Sequence, residues 1–331
     1  MRGSRIEDYD TPLVVAWQLT NRCSAACLAC CEDSGRDRVW RDELTRAEAL
    51  DLAQRLVTAE VPYVAFGGGE PLGVPHCWEL FEILAASGVG IKLETNAEFI
   101  DDAAADRLAA LPIQCVQISV DGAGAKTHER MRPGSSFTAT LSAIERLVAR
   151  GVPPQWVFVP TRLNVDEIIA AYDLAAQLGC EAFVTGPLMR LGRAAADWEN
   201  LACKPDDWER AVTSLQEHAA VTGEAMRTAV YPWDILTEIE RRLESPQAML
   251  LVVPNGKVKL MNALPFAVAS FREHTVSRAW EAYRNAWRSA EVSTFIEHCR
   301  VSPSLLGHAN ETWPLGELMP WRPGPAHAAH E

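Results

Sequence analysis

The chain has 331 residues, 48% hydrophobic and 23% charged, close to globular averages, which leaves neither a disordered nor a fibrous protein in contention. A formal net charge of -13 argues against a sequence-independent grip on nucleic acid, which needs clustered Lys and Arg. No apolar run reaches the ~18 residues of a spanning helix and no secretory signal opens the chain, so the expectation is a cytoplasmic protein without membrane contact.

The first apolar run, "PLVVAWQLT" at 12–20, reads as a strand. It leads straight into "TNRCSAACLACCEDSG" at 20–35, where four of the nine cysteines fall within nine residues. A helix is expected near 43–59, with Thr45 as N-cap and Leu50, Leu52, Leu56 and Val57 along its buried face. Further strands are expected at 61–69, 90–95, 115–122, 154–160 and 181–188, with helices between them near 76–87, 100–110, 137–150 and 165–178. Strand and helix in alternation specify βαβ units on a parallel sheet, and six strands are too few to close an eightfold barrel. The fold class is therefore α/β, a partial (β/α)6 TIM-like barrel over 1–198. Ligands of such sheets sit at the carboxyl ends of the strands, where the Cys loop, "GGGEP", "TNAE" and "SVDG" all lie.

Beyond 198 the rhythm changes. Helical stretches near 206–222 and 232–243 lead to "MLLVVPNGKVKLM" at 249–261, two apolar arms about an Asn-Gly turn. A helix near 276–290 and a Pro-rich tail from 314 complete a small appended α+β module over 199–331.

The cysteines need a chemistry. An odd count in a reducing compartment argues against a disulfide framework. Cys23, Cys27 and Cys30 supply only one short knuckle, where zinc sites usually combine two. A Cys27 to Cys30 redox pair leaves Cys23 and Cys31 unexplained. Three thiolates from one loop also suit an iron–sulfur cubane with one iron left open.

The C-x3-C-x2-C loop after the first strand, followed by "GGEP" at 68–71, "TNA" at 95–97, "ISVDGAGAKTHERMRPGSSFTATLSAIERL" at 118–147 and "PLMRLGRAAAD" at 187–197, resembles the radical S-adenosylmethionine (SAM) enzymes. The resemblance implies a [4Fe-4S] cluster on Cys23, Cys27 and Cys30. It also implies SAM bound at the open iron, and an external one-electron donor of flavodoxin or ferredoxin type. It carries Gly68, Gly69 and Glu70 to the methionine amino group, Thr95, Asn96 and Ser119 to the ribose side, and Arg132 and Arg193 to the SAM carboxylate. Two departures stand out. Ala29 occupies a place usually aromatic and near the adenine, and Cys31 reads as a packed thiol rather than a fourth ligand. Cys77, Cys115, Cys180 and Cys203 read as buried thiols, Cys203 being a weak candidate for a hydrogen-atom donor.

The segment from 249 onward resembles the SPASM and twitch extensions, which carry auxiliary clusters. Met249 and Met261 stand where those extensions have cysteines, so a degenerate module and a redox-neutral reaction are implied. The cluster loop begins so near residue 1 that no leader-binding domain is expected before it. A small polar substrate follows, a sugar or nucleoside in specialised (antibiotic) metabolism, as in decarboxylation of a glucuronosyl nucleoside. Glu94, Trp156, Arg162, Met189 and Arg190 are the substrate-lining candidates at strand ends. The alternatives are a maturase of ribosomal peptides and a zinc-stabilised binding protein without catalysis.

Overall fold

The computed structural model describes residues 5–222 and 226–316. Most of the Pro-rich tail lies outside them. Eight strands run parallel in one sheet, in the order β8-β1-β2-β3-β4-β5-β6-β7. They are β1 (Val14–Thr20), β2 (Tyr63–Gly68), β3 (Gly90–Thr95), β4 (Ile113–Ser119), β5 (Gln155–Phe158), β6 (Ala182–Thr185), β7 (Arg227–Val230) and β8 (Met249–Val252). The first six are those expected. β7 was not, because "RTAV" carries no apolar alternation, and it sits at the end of the sheet.

The hairpin about the Asn-Gly turn forms as expected, and Gly256 takes the left-handed φ of 79° that the turn requires. β8 is its first arm and β9 (Lys257–Lys259) its second. β10 (Phe266–Ser270) and β11 (Trp313–Pro314) continue the sheet to eleven strands, with β9 antiparallel to both β8 and β10. The extension is thus hydrogen-bonded to the strand that carries the cysteine loop, through the pairs Val14–Met249 to Trp17–Val252.

Helices α1 (Arg46–Thr58), α2 (Cys77–Ala86), α3 (Asp102–Ala110), α4 (Ala125–Met131), α5 (Phe137–Ala149), α6 (Ile168–Gln177), α7 (Gly192–Ala196), α8 (Trp198–Leu201) and α9 (Pro205–Thr222) accompany the first seven strands. α10 (Ile235–Glu244), α11 (Val276–Ala286) and α12 (Ala290–Val301) accompany the rest. Thr45 caps α1, its hydroxyl accepting from the Glu48 N–H at 3.3 Å. Leu52 and Leu56 of that helix are fully buried, while Leu50 and Val57 pack at the core's edge. The helix-facing side of the sheet is apolar: Trp17 stacks on Phe66, which meets Phe81 of α2, and Phe158 stacks on Phe183, which meets Tyr172 of α6. Among the described residues no helix is long and apolar enough to cross a membrane.

Candidate active site

The cysteine loop is fastened before any ligand is considered. Glu43 accepts from Thr20 Oγ1 at 2.8 Å and from the Asn21 N–H at 2.9 Å, and the Cys23 N–H donates to Gly35 O at 3.1 Å. From β2, the Gly69 N–H reaches Thr20 O at 2.6 Å and the Glu70 N–H reaches Arg22 O at 2.9 Å. A Cβ on Gly69 would lie 2.1 Å from Arg22 O, and Gly68 has a φ of 105°. The glycines of "GGGEP" therefore admit the backbone of the cysteine loop.

Each of three thiols meets a hydrogen-bond donor. Cys23 Sγ takes Asn96 Nδ2 at 3.6 Å, Cys27 Sγ takes Arg132 Nη1 at 3.4 Å, and Cys30 Sγ takes the Ser34 N–H at 3.3 Å. Cys31 differs, its thiol donating to Glu32 Oε1 at 3.6 Å. Donors stabilise thiolates, and a carboxylate neighbour stabilises the thiol. Burial pushes Cys23 up to about 11, and it raises Cys27 too, against the pull of the Arg132 guanidinium. Cys31 goes well above its ordinary value by burial and by the adjacent Glu32. Binding a metal centre therefore displaces protons from the first two. Among the described residues no three His, Cys, Asp or Glu side chains gather as they would around one metal ion.

Glu70 is braced by the protein. Its carboxylate accepts from Leu72 N at 3.1 Å, Thr95 Oγ1 at 2.8 Å and Asn96 N at 2.8 Å, tying β2 to β3 beneath the loop. Burial lifts it to about 7 despite these donors. Asn96 in turn donates from Nδ2 to Ser24 Oγ at 3.1 Å. Ser119 ends β4 half-buried, in register with Val157.

Two arginines converge on Cys27. Arg132, just past α4, is held by Asp121 at 2.7 Å in a buried pair. Arg193 of α7 donates Nε to Cys27 O at 2.7 Å and Nη1 to Asp33 at 2.9 Å, leaving Nη2 buried without a partner. An orphaned guanidinium nitrogen is costly unless a ligand satisfies it, and a carboxylate is its natural complement. Ala29 belongs to an apolar patch with Leu28, Val159, Leu163, Leu188 and Trp198, room that a larger residue at 29 would take. The donors, the orphan and the patch together fit a thiolate-held cluster with a carboxylate-bearing, part-apolar ligand beside it.

The substrate candidates separate. Glu94 stands on β3 in register with Gln117, 2.7 Å from Lys92, and its side chain is 50% exposed in the middle of the sheet, so the inward side there is open. Gln117 continues this polar wall to Gln155 at 2.9 Å and Gln155 to Glu181 at 2.7 Å. Trp156 is corrected: it is fully buried on the helix-facing side, with Nε1 donating to Val120 O at 3.0 Å. Arg162 is exposed and bonded to Ala202 O at 3.3 Å beyond α8, away from the wall. Met189 touches Asn262 of the extension at 3.9 Å, and Arg190 lies over the Trp198 ring at 5.4 Å.

Sequence reasoning did not single out Asp33, Asp121, Lys259 or Asn310. Asn310 Nδ2 donates to Cys31 O at 3.0 Å, while the Arg193 N–H donates to Cys30 O at 3.0 Å. Lys259, 2% exposed, bonds Ala309 O, and burial lowers it to about 8 against the pull of Glu32. Asp121 stood in "SVDG" and was legible there; the other three carry no local signal.

A family profile described as the radical SAM superfamily matches residues 17–175. The chain is 37% identical over 195 residues to mycofactocin maturase MftC of Mycobacterium ulcerans, covering 58% of this chain and 52% of that protein. It thus spans about half the length of the maturases it matches. It is 31% identical over 305 residues to the AdoMet-dependent heme synthase of Methanosarcina barkeri, covering 86% of this chain and 84% of that protein. In fold it is similar to Streptococcus suis SuiB bound to precursor peptide SuiA, with a TM-score of 0.71 at 14% identity, covering 85% of this chain and 67% of that one. The chain belongs to the radical SAM superfamily, whose enzymes use SAM and a [4Fe-4S] cluster.

Proposed function

We propose that this radical SAM enzyme modifies a peptide. Cys23, Cys27 and Cys30 hold the cluster, and Arg193, Arg132, Asn96 and Ser119 receive SAM. When bound, cluster and SAM together supply a 5'-deoxyadenosyl radical that removes a substrate hydrogen. The chain's own residues do the rest. The unpartnered Arg193 Nη2 takes a carboxylate, the patch around Ala29 keeps water from the reacting side, and Glu94 accepts a donor group of the substrate.

One observation carries the peptide reading: exposed Glu94 and half-buried Gln117, backed by buried Gln155, place polar groups at successive strands, suited to a chain rich in amides. The likeness to a maturase and to a peptide-bound enzyme supports it, and displaces the sugar or nucleoside reading. The redox-neutral outcome expected from Met249 and Met261 remains part of the proposal. A second reading, a tetrapyrrole substrate, has in its favour the match to a heme synthase across the extension as well as the barrel.

Anaerobic reconstitution tests both. About four irons and four sulfides per chain are expected, with 5'-deoxyadenosine release that rises on adding candidate peptides. Stimulation by an iron porphyrin, with a shifted Soret band and no response to peptide, would reverse the order of the two readings. Stoichiometric zinc without SAM cleavage would sink both.

A further inference from the structure

We propose that Lys259, a buried cation of the extension, sets how readily the cluster takes its electron. The proposal rests on reading Cys23, Cys27 and Cys30 as the cluster ligands. It gives a role to an extension that has methionine at 249 and 261.

Register places Lys259 on the inward side of the sheet. It pairs with Leu251 of β8, and Leu251 pairs with Ala16 of β1, two residues before Gln18. Partners across a ladder share a side, so Lys259 lies on the side that the cysteine loop caps.

Two flanks clasp the end of that loop. Lys259 Nζ donates to Ala309 O, and the next residue, Asn310, donates Nδ2 to Cys31 O at 3.0 Å, one residue from Cys30. From α7, the Arg193 N–H donates to Cys30 O at 3.0 Å, and a Cβ on Gly192 would lie 2.5 Å from the carbonyl oxygens of both Cys30 and Cys31. Lys259 is thus tied through two short steps to the chain that carries the third ligand.

Charge sets this lysine apart. Arg132 is matched by Asp121 at 2.7 Å, Arg193 by Asp33 at 2.9 Å and Lys92 by Glu94 at 2.7 Å. Lys259 is 2% exposed and held by a neutral carbonyl, and among the described residues no carboxylate is in ion-pair contact with it. Burial lowers it only to about 8, against the more distant pull of Glu32, Cys31 and Glu311, so it is charged at pH 7. A buried cation without a contact partner is costly, and an anionic centre nearby offsets that cost. Three thiolates supply such a centre. Reduction adds a further negative charge there, and its attraction to Lys259 favours the reduced state.

The test is a redox titration of reconstituted holoenzyme at pH 7, followed by electron paramagnetic resonance, with iron and sulfide counted for each variant. Lys259→Met and Lys259→Gln should both lower the midpoint potential, by roughly tenfold in the reduction equilibrium, about 59 mV for one electron. Lys259→Arg keeps the charge and should stay close to wild type. Arg210→Gln removes an exposed cation on α9, beside β7 at the far end of the sheet, and should change nothing. Equal potentials for wild type and Lys259→Met, with about four irons in each, would overturn the proposal and leave the cluster reading standing. A wild-type potential in Lys259→Gln would overturn it as well, since Gln keeps a donor for Ala309 O and lacks the charge. If Lys259→Met loses its iron, a lowered potential in the Gln variant against an unchanged one in the Arg variant still supports the charge, and equal potentials in those two overturn it. A wild type without any cluster signal would instead overturn the reading of the three cysteines.

Discussion

The two sides of the parallel sheet obey different rules. On the helix-facing side Val15, Trp17, Val64, Phe66, Ile91, Leu93, Ile118, Trp156, Phe158 and Phe183 are all sealed from solvent. On the inward side the same strands present Gln18, Gly67, Lys92, Glu94, Gln117 and Gln155, with Glu94 exposed, Lys92 paired with Glu94, and Gln117 bonded to Gln155. A parallel sheet buried on both faces would be apolar on both, so the polar side is kept for a ligand. Stability resides on one side and chemistry on the other, and single substitutions should separate them.

The sharpest break lies where the cysteine loop caps the inward side. Replacing Cys23, Cys27 or Cys30 with Ser should drop iron from about four per chain to below about one and abolish SAM cleavage, whereas C31S keeps both, as an iron and sulfide assay would register. Loss of iron in C31S as deep as in C27S would refute the division among the four thiols. Next comes the helix-facing side: Trp156→Ala should cost about 3–5 kcal/mol by urea unfolding, through lost contacts and a cavity. Glu70 links the sides. Its folded value near 7 exceeds the ~4.3 of an unfolded glutamate, so its contribution is full below about 4.3 and is lost as pH rises through 7. Relative to Glu70→Gln, wild-type stability should therefore fall by a few kcal/mol between pH 5 and 8; a flat difference would mean the carboxyl is not raised. Smallest in stability is Glu94→Gln, within about 0.5 kcal/mol, yet substrate turnover should fall while substrate-free SAM cleavage does not. An unfolding cost matching that of Trp156→Ala would place Glu94 in the core.

Much of this was legible in sequence, and the failures have causes. β1 to β6 announced themselves as apolar runs closed by turns, and the thiol spacing pointed to the cluster loop. Trp156 was misplaced because position near a strand end does not say which side a side chain takes; its parity with Phe158 does. The donors that brace Glu70 were not legible, because they come from Leu72 nearby and from β3, which sequence cannot bring together. Lys259 in "GKVKLM" has the alternation of a solvent-facing arm, yet the segment around Ala309 covers it.

The pairing of β8 with β1 also has a consequence in time. Val14 leaves the ribosome well before Met249, which emerges only after seven strands are made, yet the two are partners. Until then one edge of the cysteine-bearing strand is bare, and bare edges recruit other chains. A truncation ending before Met249 would keep every cysteine of the loop and still leave its strand half-paired. Completion of the pairing of the cysteine-bearing strand is thus set by when β8 arrives.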